Sequence, residues 1–188
     1  MNVHCELLLC PEAPEQTRFF LLTGPKNAMR KDLRNVGREQ LQMLAKEFIP
    51  AGGSLKETPT GPVGCGSWST LSFSISYARN HMLIGIALGW NLGVDILELQ
   101  SIPEWRGISA LYFSPKTRER LEAETEDHRL NSFCAAWTIL EADLKCLGLG
   151  LSEHNTVAIQ SDKLLHLQPR VPAGFCATAS MQRRMPAQ

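Results

Sequence analysis

Between residues 27 and 49, Met29, Leu33, Val36, Leu41, Leu44 and Phe48 recur mostly at intervals of three and four, with charged side chains between them. That spacing predicts an amphipathic helix. The following stretch, "PAGGSLKETPTGPVGCGSWS", is rich in Gly, Pro, Ser and Thr and predicts irregular chain that crosses a surface or lines a pocket. From Leu71 the pattern changes: Phe73, Ile75 and Tyr77 alternate with serines and an alanine, and "MLIGIAL" and "LGVDILEL" follow after the turn-like "ARNH" and "GWN". This predicts three short strands, the last two closely hairpinned. Farther on, "EWRGISALYF" predicts a short helix. Ser114 followed by Pro115 reads as an N-cap with proline at the first helical position. A longer helix is expected from about Asp127 through Leu147, with Gly148 and Gly150 as its stop, and "HNTVAIQ", "KLLHLQP" and "GFCATASM" read as three closing strands.

Helix-then-strands before residue 100 and helices-then-strands after it give the same order of elements twice. The expected class is α+β: two similar α/β halves related by a pseudo-two-fold axis, each a small, mostly antiparallel sheet packed against a long helix. The halves would divide as 1–92 and 93–188 and share one interface site.

Two places resist a reading by burial alone. Asp95 stands in "GVDIL", where a buried strand would prefer Val or Ile, and the helical "WTILEADLK" carries Glu141, Asp143 and Lys145 among Trp137, Ile139, Leu140 and Leu144. On spacing alone, Glu141 and Lys145 read as a solvated ion pair one turn apart, worth a few tenths of a kcal/mol. Asp95 alone reads as well as a turn or cap residue.

Bulk properties narrow the function classes. The chain has 188 residues, 44% apolar and 20% charged, which suits a globular protein. Nineteen basic and nineteen acidic side chains cancel and leave no basic stripe for a phosphate polymer, so nucleic acid is not an expected partner. Six cysteines without a C-x-x-C pair read as small buried hydrophobes in a reducing compartment. The N-terminal apolar run lacks a preceding basic region, and no segment reaches the roughly 20 apolar residues of a membrane span. The expected location is the cytoplasm. The five histidines show no pairing at ligand spacing, and Cys134 and Cys146 lack a basic neighbour in sequence that would make either a nucleophile.

"GVDILEL" paired with "WTILEADLKCLGLGL" about forty residues later resembles the 4′-phosphopantetheinyl transferases of the compact two-half type. That family carries G-[IV]-D-[IVL]-E on a strand and [FW]-[ST]-x-K-E-[AS]-x-x-K on a helix, often followed by G-x-G-[LF]. Gly93, Val94, Asp95 and Ile96 fit the first motif, and Trp137, Thr138, Glu141, Ala142, Lys145, Gly148, Gly150 and Leu151 fit the second. The resemblance implies Mg²⁺-dependent transfer of the phosphopantetheine arm of coenzyme A to a serine of an acyl or peptidyl carrier protein, by a monomer that binds no membrane. It implies Asp95 and Glu141 as metal ligands, with Glu141 also in the catalytic machinery. Lys145 would take the serine proton or pair with the transferred phosphate. Tyr77, Arg79 and Arg30 are the candidate contacts to coenzyme A, with Arg34 a further cation on the first helix.

The match departs from the family at four positions. The glutamate two residues after the aspartate is Leu97, the lysine before the second glutamate is Leu140, a histidine is replaced by Tyr77, and the lysine of a G-K-P loop by Gly61. The other reading is therefore a non-catalytic member of the fold that binds a carrier protein or another protein partner.

Overall fold

The computed structural model describes residues 2–58, 61–151 and 163–184. Its first sheet has four antiparallel strands. Strands β1 (His4–Leu8) and β2 (Thr17–Thr23) pair with each other, and β2 pairs in turn with β6 (His81–Leu88), which pairs with β5 (Leu71–Ala78). Helix α1 (Arg30–Phe48) lies on one face. Leu41, Leu44 and Ala45 of the helix meet Phe20, Leu22, Met82, Ile84, Ile86 and Phe73 of the strands, and Leu33 is likewise fully buried. These strands alternate with period two, and because both faces are covered, both sets of side chains are apolar or small.

The second sheet has the order β7 (Trp90–Glu98), β9 (Phe175–Arg183), β8 (Leu165–Leu167), again antiparallel. Leu92, Val94 and Ile96 of β7 and Ala177, Ala179 and Met181 of β9 point at the first sheet, where Phe19, Leu21, Leu83 and Ala87 complete a core between the sheets. Helix α4 (Glu126–Cys146) covers the far face, flanked by α2 (Trp105–Tyr112) and α3 (Pro115–Ala123). The architecture is α+β, in layers of helix, sheet, sheet, helix. Residues 92 and 93 both lie within β7, so the expected boundary falls inside one continuous strand.

The expected helices are present. Ser114 caps α3 by accepting a hydrogen bond from the Thr117 amide at 3.2 Å, with Pro115 at the first helical position. Helix α4 ends in a left-handed Gly148 (φ 68°), whose amide reaches the Lys145 carbonyl while the Leu149 amide reaches Leu144, so the orphan carbonyls of the last turn are satisfied.

Two sequence expectations are corrected. The Gly/Pro-rich stretch is not irregular: β3 (Gly53–Thr58) and β4 (Gly61–Gly66) form an antiparallel pair. The glycines make room, because a Cβ on Gly53 would lie 2.5 Å from the buried Trp68 ring and one on Gly64 would lie 2.0 Å from the Trp68 carbonyl oxygen. The hairpin in the central strands joins β5 to β6, not β6 to β7. Strand β6 already has a partner on each edge, and after Gly89 (φ 76°) the chain crosses to the second sheet, where β7 pairs with β9. The expected strand "HNTVAIQ" lies outside the described residues.

Candidate active site

The site is set by how closely α4 approaches β7. A Cβ built on Gly93 would fall 1.9 Å from the Ala142 carbonyl oxygen and 2.4 Å from the Cys146 amide nitrogen, so only glycine lets the helix rest there. Nearby, the Thr138 and Thr178 hydroxyls pair at 2.8 Å in a buried contact between helix and sheet. Glu141 and Lys145, one turn apart, are thereby held beside β7.

Asp95 meets them there. Lys145 Nζ donates to Asp95 Oδ1 at 2.7 Å and to the Val94 carbonyl at 3.1 Å, and lies 3.7 Å from Glu141 Oε2. Ser76 Oγ of β5 donates to the same Asp95 oxygen at 2.6 Å. The Asp95 side chain is 8% exposed, Glu141 24% and Lys145 26%. Burial pushes the Glu141 carboxyl above the usual carboxylate range; the Lys145 ammonium opposes that shift and the Asp95 charge adds to it. With all three ionised, two carboxylates from opposing elements share one cation and leave a net negative charge.

Mg²⁺ usually takes one or two protein carboxylates and completes its octahedron with substrate phosphates and water. Asp95 and Glu141 fit that kind of open site. Among the described residues no group of three or more His, Cys, Asp or Glu side chains is arranged to hold a metal ion, so a closed protein cage is not what this donor set suits.

The structure does not gather the remaining candidates around this cluster. Tyr77 packs on the α1 face of the first sheet, opposite the face that carries Ser76, and Arg30 lies over its ring at 5.0 Å. Burial pushes the Tyr77 hydroxyl pKa up. Arg79, 68% exposed, pairs with Glu98 at 2.7 Å, and Arg34 pairs with Glu57 at 3.4 Å. Glu98 alternates away from Asp95 along β7. Leu97 and Leu140 join Trp137 and Cys176 against the apolar cluster between α4 and its flanking helices. Gly61 lines a cleft of about 300 Å³, which Phe73, Asn91, Lys145 and Arg184 also line. Lys145 is thus common to the carboxylate cluster and the cleft.

Sequence reasoning missed Ser76 as the Asp95 partner and gave Asp143 no role. Asp143 is 2% exposed and faces the other way, accepting from Ser180 Oγ at 2.5 Å and sharing a 2.8 Å hydrogen bond with His166 Nε2. Its offset of two residues from Glu141, roughly 200° around a helix of 3.6 residues per turn, was the available signal. The hydrogen bond to Asp143 raises the His166 pKa above its usual 6.5, against the effect of burial. The folded protein therefore holds this proton more tightly than the unfolded chain, a contribution complete below pH 6.5 and lost as pH rises through the folded value. Urea denaturation across this range should show stability falling as pH rises, and His166→Gln should flatten that slope. An unaltered slope in the variant would remove His166 as its source.

No cysteine of the six is in a disulfide, and burial pushes the Cys134 thiol up to about 11 and Cys146 to about 12, far from a nucleophilic thiolate. No helix among the described residues is long and apolar enough to cross a membrane.

Residues 91–179, which contain α4, all of β7 but Trp90 and most of β9, match the profile of the 4′-phosphopantetheinyl transferase superfamily. A Synechocystis sp. protein bearing the name "Putative 4'-phosphopantetheinyl transferase" is 28% identical over 96 residues, which are 51% of this chain and 39% of that protein. The chain thus spans about two fifths of the length of that relative. The profile begins at Asn91 and ends at Ala179, so the stretch of this chain that is similar to the 4′-phosphopantetheinyl transferase superfamily takes in Asp95, Glu141 and Lys145 together.

Proposed function

We propose that the protein transfers the 4′-phosphopantetheine group of coenzyme A to a serine hydroxyl of an acyl or peptidyl carrier protein, with Mg²⁺. The observation that carries this reading is the convergence of Asp95 and Glu141 on the Lys145 ammonium at the margin of a cleft. Asp95 and Glu141 would hold the ion, which when bound neutralises charge on the coenzyme A diphosphate. The serine oxygen bonds to the phosphorus that carries the pantetheine arm. The bond from that phosphorus to the bridging oxygen breaks, and 3′,5′-adenosine bisphosphate leaves with the electron pair.

Glu141, whose proton affinity burial raises, is the better acceptor for the serine proton. Lys145 already donates to a carboxylate and a carbonyl, the behaviour of a charged ammonium, and suits the transferred phosphate. Six unpaired cysteines suit a reducing compartment such as the cytoplasm.

A second reading, a non-catalytic member of the fold that binds a carrier or other protein, is favoured by one observation. Leu97 and Leu140, at positions where the family has charged side chains, pack against hydrocarbon. Mass spectrometry of an apo carrier protein incubated with coenzyme A, Mg²⁺ and this protein separates the two. Catalysis predicts a mass gain of one phosphopantetheine, absent with Glu141→Ala; no gain with several carriers would leave the binding reading.

A further inference from the structure

Arg184, the residue after β9, lines the cleft and has no role in the sequence motifs. Its amide donates to the Gly89 carbonyl at 3.1 Å, which anchors the backbone. The guanidinium donates through Nε to Asn91 Oδ1 at 3.1 Å, through Nη1 to the Ser69 carbonyl at 3.2 Å, and through Nη2 to Ser72 Oγ at 2.8 Å and the Leu71 carbonyl at 3.5 Å. Every one of these acceptors is neutral. Among the described residues no carboxylate lies within ion-pairing distance of Arg184, whereas Arg34, Arg38, Arg79 and Arg106 all have one.

A guanidinium carries five N–H donors and stays charged at any ordinary pH. The contacts here engage four of them, so one donor and the whole positive charge remain. Acceptors from β7, β5 and the turn before β5 hold the group in one orientation, so little further ordering would be lost on binding. The remaining donor and the charge suit a phosphate oxygen. Lys145 also lines this cleft, and Gly61 supplies no cation to it.

We propose that Arg184 is a phosphate-contacting residue for the co-substrate, supplying positive charge that Gly61 and Leu140 do not. This rests on the transferase reading above. The shared chemistry is a phosphate group, which in coenzyme A could be the diphosphate or the 3′-phosphate.

The test is calorimetric titration of the full chain with coenzyme A and with dephospho-coenzyme A, Mg²⁺ present, for the wild type, Arg184→Gln and Arg184→Lys, with thermal unfolding recorded for each. Arg184→Gln should weaken coenzyme A binding about tenfold or more, the scale of one charge-assisted contact, and Arg184→Lys by less. An equal loss with both ligands assigns the contact to the diphosphate; a loss confined to coenzyme A assigns it to the 3′-phosphate. A folded Arg184→Gln that binds coenzyme A like the wild type overturns the proposal and leaves Arg184 a clamp between strands. Should the Gln variant not fold, Arg184→Met is titrated in its place: a folded Met variant with unchanged affinity overturns the proposal. A wild-type protein that binds no coenzyme A removes the transferase reading and this inference with it.

Discussion

Gly93→Ala should cost about 3 kcal/mol or more of folding stability and take the proposed transferase activity with it. The added Cβ would sit 1.9 Å from the Ala142 carbonyl oxygen and 2.4 Å from the Cys146 amide nitrogen. Both are backbone atoms of an α-helix, so no rotamer change relieves the clash. The helix must lift from the sheet. Inserting one methyl into a well-packed site typically costs 1–3 kcal/mol, and a rigid backbone neighbour places this case at the upper end or beyond. Lifting α4 also withdraws Glu141 and Lys145 from Asp95, so what activity survives in folded protein should fall too. Gly107→Ala in α2 is the control: nothing lies within 4 Å of its Cβ, and alanine in a helix interior should stabilise by about 0.5–1 kcal/mol. Urea denaturation of both variants checks the contrast; a Gly93→Ala protein as stable as the wild type would show that α4 does not rest on β7 as described.

Asp95→Ala should separate folding from catalysis. Removing this carboxylate leaves Lys145, 26% exposed, and the buried Ser76 hydroxyl without their shared acceptor. Breaking one side of a buried ion pair costs about 3–5 kcal/mol, and because Glu141 remains 3.7 Å from the ammonium the loss here should be nearer 2–3 kcal/mol. The rate of phosphopantetheine transfer should fall about a thousandfold, the effect of losing several kcal/mol of charge stabilisation on the reacting phosphates. Adding Lys145→Met should restore part of the stability, since an ion pair replaced by hydrocarbon is often neutral, and should restore none of the rate. Parallel recovery of both quantities would mean that the pair serves the fold alone.

What could be read from the sequence followed local physics. The 3.6-residue periodicity of 29–48 and the caps at Ser114 and Gly148 depend on neighbours in the chain, and α1, α3 and α4 appear where expected. Asp95, Glu141 and Lys145 drew notice as charges among apolar neighbours, but spacing alone read them as a solvated pair and a turn residue, and it was the family motifs that paired them. The pairing of β7 with β9 was hidden because it joins residues about eighty positions apart, and a strand pattern does not name its partner. The β3–β4 ladder was hidden because its glycines answer to the bulk of Trp68, a tertiary fact. Tyr77 and Arg30 share a neighbourhood with each other, on the side of the sheet away from Asp95, since strand alternation separates Tyr77 from Ser76.

Strand β5 presents Ser72, Ser74 and Ser76 toward β7. Ser72 donates to the Trp90 carbonyl, Ser74 accepts from the Val94 amide at 2.9 Å, and Ser76 reaches Asp95. Hydrocarbon surfaces can slip past one another by fractions of an ångström at little cost, but a row of directional bonds has one register. The two sheets are therefore keyed rather than merely stuck together, and the width of the cleft between them is built in before any ligand arrives.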